Sequence, residues 1–146
     1  MPDPISPDLA FICTVRAILA QSITVSGSPG GDRRINEVES LVCEGTRLAG
    51  QLEGRAAADW MTLPANGGFG VIDARWTLRT HDGALVYVQY LGRIPLAGPA
   101  ARTLYVAPRF ETGDPRYAWL NAVQGIGKGR FDSDKREVVY EFWELR

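Results

Sequence analysis

The side chains best suited to chemistry lie in two places. Asp59 and Trp60 set a carboxylate beside an indole, and a carboxylate held against an aromatic wall gains a raised pKa suited to proton transfer. The second place is Pro108 to Asn121, where Arg109, Glu111, Tyr117, Trp119 and Asn121 bring charge, phenol, indole and amide within fourteen residues. In an extended chain Arg109 and Glu111 share one face; if the segment after Asp114-Pro115 is also extended, Tyr117, Trp119 and Asn121 share another. Aromatic walls with hydrogen-bonding groups are the makeup of a small-molecule pocket. Both places have a plainer reading. Asp59 also fits a turn beside a core indole, and the second segment also fits a corner where Trp119 plugs a barrel end while Glu111 and Asn121 satisfy loop backbone.

Other chemistries find no support. His81 is the single histidine and precedes a turn, which suits a solvated residue better than a general base. A serine hydrolase would require it, and no GxSxG occurs. Cys13 and Cys43 belong to no CxxC or His-containing ligand pattern, so they read as small buried hydrophobes and no metal site is expected. Gln124 to Gly129 is glycine-rich but lacks phosphate-loop spacing, so no nucleotide cofactor is expected either.

The elements that must position these groups read as strands. Strand composition runs over Leu9 to Ile23, Arg47 to Leu52, Gly70 to Thr80, Ala84 to Leu91, Thr103 to Thr112 and Val138 to Leu145. Turn signals at Gly27 to Asp32, Asn66-Gly67-Gly68 and Thr112 to Pro115 separate them. Asp82-Gly83 predicts a tight hairpin, and Gly125, Gly127 and Gly129 predict a flexible or closely packed segment. Only Asp8 to Gln21 and Arg55 to Met61 compete as helices; the first is rich in Ile, Val, Thr and Cys and the second is short. Between Val71 and Thr80, Ile72, Ala74, Trp76 and Leu78 alternate with Asp73, Arg75, Thr77 and Arg79. One face packs, and the face carrying Asp73 and Arg75 meets either solvent or a cavity mouth. Strands joined by short turns, without intervening helical patterns, predict an all-β, mostly antiparallel barrel or sandwich.

Composition fits that reading. At 146 residues, 45% hydrophobic and 23% charged, the chain is expected to form one globular domain spanning residues 1–146. A net charge of -1 with no long basic run argues against nucleic acid as partner. Of 16 basic residues only Lys128 and Lys135 are lysines; the rest are arginines, the better residue for fixed recognition of carboxylates and phosphates, although an arginine-favouring codon bias explains the ratio more simply. Asp3, Asp8 and Arg16 interrupt any leader-like start, and no run approaches membrane-spanning length, so no membrane association and a cytoplasmic location are expected.

The sequence resembles the domain-of-unknown-function family 3237, also known as uncharacterised protein family 0311. The resemblance runs over nearly the whole chain. It is carried by Ala58-Asp59-Trp60, Ile72 to Thr80, Asp82 to Val88, Phe110-Glu111-Thr112 and Tyr117 to Asn121, in this order and spacing. It implies a single-domain antiparallel β-barrel of lipocalin-like or cyclase-barrel appearance, often a homo-oligomer. The characteristic polar residues would then be Asp59, Asp73, Glu111, Tyr117 and Asn121, with Trp60 and Trp119 as companions. The chain departs from the family pattern at Ala56-Ala57-Ala58, at Trp76 and in a short loop between Gly92 and Thr103.

Acids and aromatics on a barrel predict a cofactor-independent enzyme, of isomerase, cyclase or lyase type, acting on a small apolar or aromatic metabolite. Asp59 or Glu111 would be the acid or base, Tyr117 and Asn121 would donate to a developing oxyanion, and Arg75 or Arg109 would anchor a substrate carboxylate or carbonyl. Trp60, Asp73 and Trp119 would complete the binding wall. Two alternatives use the same residues: a carrier barrel that holds a hydrophobic ligand unchanged, and a side-chain-filled barrel that serves assembly. A cavity of about 300 Å³ or more separates the ligand readings from the last.

Overall fold

The computed structural model describes residues 1–146. Eleven strands wind antiparallel into a closed barrel of eight staves, so the expected all-β barrel is the fold. Strands β1 (Leu9–Leu19), β2 (Ile23–Ser28) and β3 (Gly31–Glu44) are followed by β4 (Gly50–Leu52), β5 (Ala58–Leu63) and β6 (Phe69–Thr80). Then come β7 (Leu85–Pro95), β8 (Thr103–Val106), β9 (Arg109–Glu111), a 3₁₀ helix (Pro115–Ala122), β10 (Gly125–Asp132) and β11 (Glu137–Leu145). Around the barrel the order is β6-β5-β3-β1-β11-β10-β8-β7, and pairing of β6 with β7 closes the ring. Closure leaves the main sheet without free edges. No helix is long and apolar enough to cross a membrane.

The alternation along β6 does what its sequence asks. Ile72, Ala74, Trp76 and Leu78 are buried inside, while Asp73 and Arg75 point outward, which settles the side left open by the sequence. The Asp82-Gly83 hairpin forms between β6 and β7, with Gly83 at φ 93° and the Ala84 N–H donating to Thr80 Oγ1 at 2.8 Å. That positive φ is a conformation glycine adopts without steric cost.

Three of the departures from the expected strands shape the barrel interior and its lower end. Composition does not predict the 14-residue β3, because its apolar period is broken twice. Its inward positions near the start are Arg34 and Asn36, and a register shift against β1 moves the inward face from Val38 to Leu41. The chain after Asp114-Pro115 is a 3₁₀ helix rather than extended: the Asp114 side chain caps it by accepting from the Arg116 N–H, and Pro115 supplies the fixed φ of a first helical turn. The glycine segment is the regular strand β10. Gly125, Gly127 and Gly129 all face inward, and a Cβ at Gly127 or Gly129 would fall within 2.8 Å of the Phe142 or Tyr140 ring. Of the two readings offered for it, close packing is the one observed.

Those vacated positions let aromatic rings fill the lower interior. Phe142 lies 5.6 Å from Tyr140, 5.8 Å from Tyr90 and 6.5 Å from Trp76 between ring centroids. Such pairs contribute about 0.5–1.5 kcal/mol each beyond the area they bury. Below them Leu48, Phe110 and Leu120 close the barrel end under the 3₁₀ helix, and 25 buried residues form one continuous core.

Candidate functional site

The upper interior is hollow. A cavity of about 380 Å³ opens where β1, β7 and β10 end and β3, β8 and β11 begin. That is within the size range of small-ligand sites. Its walls are mainly apolar, from Ala17, Val38, Leu41, Met61, Ala74 and Ile94, and its floor is Trp76, Tyr90 and Tyr140. Asp59 is the single carboxylate in the lining.

Asp59 projects inward because it sits opposite Ala74 of β6, itself an inward position. Between Asp59–Ala74 and Thr62–Val71 the β5–β6 ladder is open, and there the Asp73 N–H donates to Asp59 Oδ1 at 2.9 Å. On the other side Asn36 faces Asp59 across the β3–β5 ladder, and its Oδ1 accepts a hydrogen bond from the Ser22 hydroxyl at 2.6 Å. The Asp59 carboxyl is pushed up to about 6, chiefly by burial; the Asp73 N–H and the Asn36 amide oppose the rise without cancelling it. A group poised there exchanges protons in both directions near neutral pH.

Two phenols share the cavity with it. Tyr90 Oη accepts from Trp76 Nε1 at 3.3 Å, and its ring meets that of Tyr140 edge-on at 5.6 Å. Burial, with the nearby Asp59 charge, raises both phenols well above their ordinary range. Both therefore stay protonated as donors while Asp59 ionises. At the mouth stand Ser22, Leu96, Phe131 and three arginines, Arg34, Arg102 and Arg136. The short connection after β7 shapes this rim: Leu96 N–H donates to Gly68 O, Arg102 N–H donates to Pro95 O, and both side chains line the opening.

Of the residues singled out by sequence, the structure places only Asp59 in the cavity wall. Trp60, its neighbour, points the other way and lies under the Arg75 guanidinium at 4.4 Å, on the outer surface. Asp73 offers its backbone, not its side chain, to Asp59. Arg109 and Glu111 flank the buried Phe110 and face out together, as alternation predicts; Glu111 lines a shallow surface notch with Tyr87, Thr112 and Asn121. Tyr117 donates to Asp82 at 2.9 Å, and Trp119 packs under Arg47 at 4.3 Å. Asn121 clasps Thr112 through both its amide atoms, at 2.8 and 2.9 Å. The 3₁₀ winding sends Tyr117, Trp119 and Asn121 to different neighbours, so they form no common wall with Asp59.

The sequence reading missed Tyr90, Tyr140, Asn36 and the rim arginines. A signal existed for the tyrosines: each continues an inward apolar series, Val86-Val88-Tyr90 and Val138-Tyr140-Phe142, and a phenol on such a face brings a polar handle inside.

Residues 7–145 match the profile of the family described as Protein of unknown function (DUF3237). The chain belongs to that family. Among relatives with curated names, a UPF0311 protein of Rhodopseudomonas palustris is 26% identical over 86% of this chain and 89% of its own length. The hydroalkoxylation enzyme phnH of Penicillium herquei is 25% identical over 97% of this chain and 86% of its own length. Among solved structures, a β-barrel-like protein from Acinetobacter baumannii superimposes with a TM-score of 0.86 at 26% identity, over the whole of both chains. An enzyme from Penicillium herquei has the same fold, with a TM-score of 0.76 at 22% identity over 100% of this chain and 99% of its own.

Proposed function

We propose that this DUF3237 barrel is a cofactor-independent enzyme that moves protons on a small apolar or aromatic metabolite, in an isomerisation, cyclisation or addition–elimination reaction. The observation that carries this reading is one carboxylate in a mostly apolar cavity, held near a pKa of about 6 and flanked by two neutral phenols. Asp59 removes a proton from a substrate carbon or hydroxyl, Tyr90 and Tyr140 donate to the oxyanion that develops, and Asp59 returns the proton at the new position. The pairing of an ionised base with phenols that stay protonated separates the two roles.

The name of one relative supports the class. Hydroalkoxylation adds an alcohol O–H across a carbon–carbon double bond: the oxygen forms a new bond to one carbon and the proton ends on the other. That balance needs only an acid and a base, which Asp59 can supply in turn. The mainly apolar wall equally suits a carrier that holds its ligand unchanged, and one experiment separates the two. 5-Nitrobenzisoxazole opens to a coloured phenolate when a base removes its ring proton, and it is small enough for this cavity. The wild-type protein is expected to accelerate that opening, and Asp59→Asn to abolish the acceleration. Equal rates for the two proteins would remove Asp59 as base and favour the carrier.

A further inference from the structure

We propose that the cavity mouth is an anion clamp and that the substrate is an amphipathic carboxylate whose neutral, apolar end enters first. This rests on the cavity being the substrate site. The lining holds three arginines and one carboxylate, and the carboxylate is not at the rim. Four of the 14 arginines, Arg47, Arg79, Arg116 and Arg146, have a carboxylate oxygen within 3.3 Å; Arg34, Arg102 and Arg136 are among the ten that have none, and they are the three that line the cavity. The Arg34 guanidinium makes no hydrogen bond within the chain, Arg102 spends one N–H on Ser133 Oγ at 3.0 Å, and Arg136 is steadied by the backbone carbonyls of Leu19 and Ala20. Three arginines that line one opening thus keep guanidinium donors to spare, the chemistry that suits a carboxylate.

A second observation points the same way. Arg102 and Arg136, at φ 65° and 52°, are the only non-glycine residues of the chain in the left-handed backbone region. Glycine fits that region without penalty and a residue with a Cβ does not. Both positions carry arginine, and both arginines reach the same opening. A side chain kept where the backbone favours none is explained if its guanidinium is needed there. The position of Asp59 sets the ligand's direction: an anionic group placed deep would meet a carboxylate among apolar walls, so the charge belongs at the rim and the body beside Trp76.

The test uses 2-naphthoate and its uncharged analogue 2-naphthamide, titrated calorimetrically into the wild-type protein, Arg34→Gln and Arg102→Gly. The wild type is expected to bind the carboxylate at least tenfold more tightly than the amide, with the difference shrinking as salt is raised. Each variant is expected to lose at least threefold of that preference. Arg102→Gly is expected to melt at no lower temperature than the wild type, because glycine relieves the left-handed backbone, so its loss of preference is not a loss of fold. Equal binding of both compounds by the wild type, or an unchanged preference in both variants, would overturn the clamp and leave the Asp59 reading standing. Binding of neither compound would overturn the clamp together with the cavity as a substrate site.

Discussion

Asn36 stands directly opposite Asp59 across the β3–β5 ladder, with its side-chain oxygen taken by the Ser22 hydroxyl at 2.6 Å. The oxygen being occupied, the Asn36 NH₂ is the part left for the carboxylate. Asp59 therefore has donors on two sides, the Asn36 amide and the Asp73 N–H, and its pKa still lies at about 6. Burial outweighs both. The carboxylate is oriented by its partners without being locked into its ionised form, a balance that suits a proton carrier.

That balance has a stability signature. The folded protein holds the Asp59 proton more tightly than the unfolded chain, whose carboxyl titrates near its ordinary value of 3.8. Between about pH 4 and pH 6 the folded state binds more protons, so this contribution to stability falls as pH rises and then levels off, by a total on the order of 3 kcal/mol. Asp59→Asn removes it. Melting curves from pH 4 to pH 8 are expected to show the variant gaining on the wild type as pH rises; parallel curves would mean that Asp59 is not shifted.

The two cavity phenols separate by their partners. Tyr90→Phe leaves the buried Trp76 Nε1–H without its acceptor and is expected to cost about 1–3 kcal/mol in denaturant unfolding. Tyr140→Phe strands no such donor and is expected to cost about 1 kcal/mol or less. If either phenol stabilises an oxyanion, its loss lowers turnover by roughly 10²-fold. The informative result is Tyr140→Phe, in which a fall in rate would come with little change in stability.

At the opposite barrel end Asn121 ties the 3₁₀ helix to the end of β9 through its two bonds to Thr112. Asn121→Ala is expected to destabilise the fold by about 1 kcal/mol, because these bonds are solvent-exposed, and to leave 5-nitrobenzisoxazole turnover within twofold. A large loss of turnover at unchanged stability would bring the Glu111–Asn121 notch back as a catalytic site.

The legibility of the sequence follows from which surfaces obey a simple period. Strands with both a packed and a solvated face, such as β6, announce themselves, and so does the Asp82-Gly83 hairpin. Strand β3 did not, because inward positions that line the cavity carry Arg34 and Asn36 where a packed strand would carry Val or Leu, and the register shift near Val38 breaks the alternation again. Strand β10 was obscured in the opposite way, since its inward side chains are absent to make room for Tyr140 and Phe142. Asp59 was visible through its neighbour Trp60, although that indole turns out to face outward. The segment from Arg109 to Asn121 looked denser in chemistry than it is in space: Asp114 and Pro115 start a 3₁₀ turn, and helical winding disperses side chains that a strand would have aligned.

The most direct measurement of the central claim is the pH profile of 5-nitrobenzisoxazole opening by the wild-type protein and by Asp59→Asn. With Asp59 as the base, the wild-type rate rises through an inflection near pH 6, where the buried carboxyl loses its proton, and the variant shows neither the rise nor the acceleration. An inflection that persists in Asp59→Asn, or a wild-type profile with no inflection in this range, would contradict it.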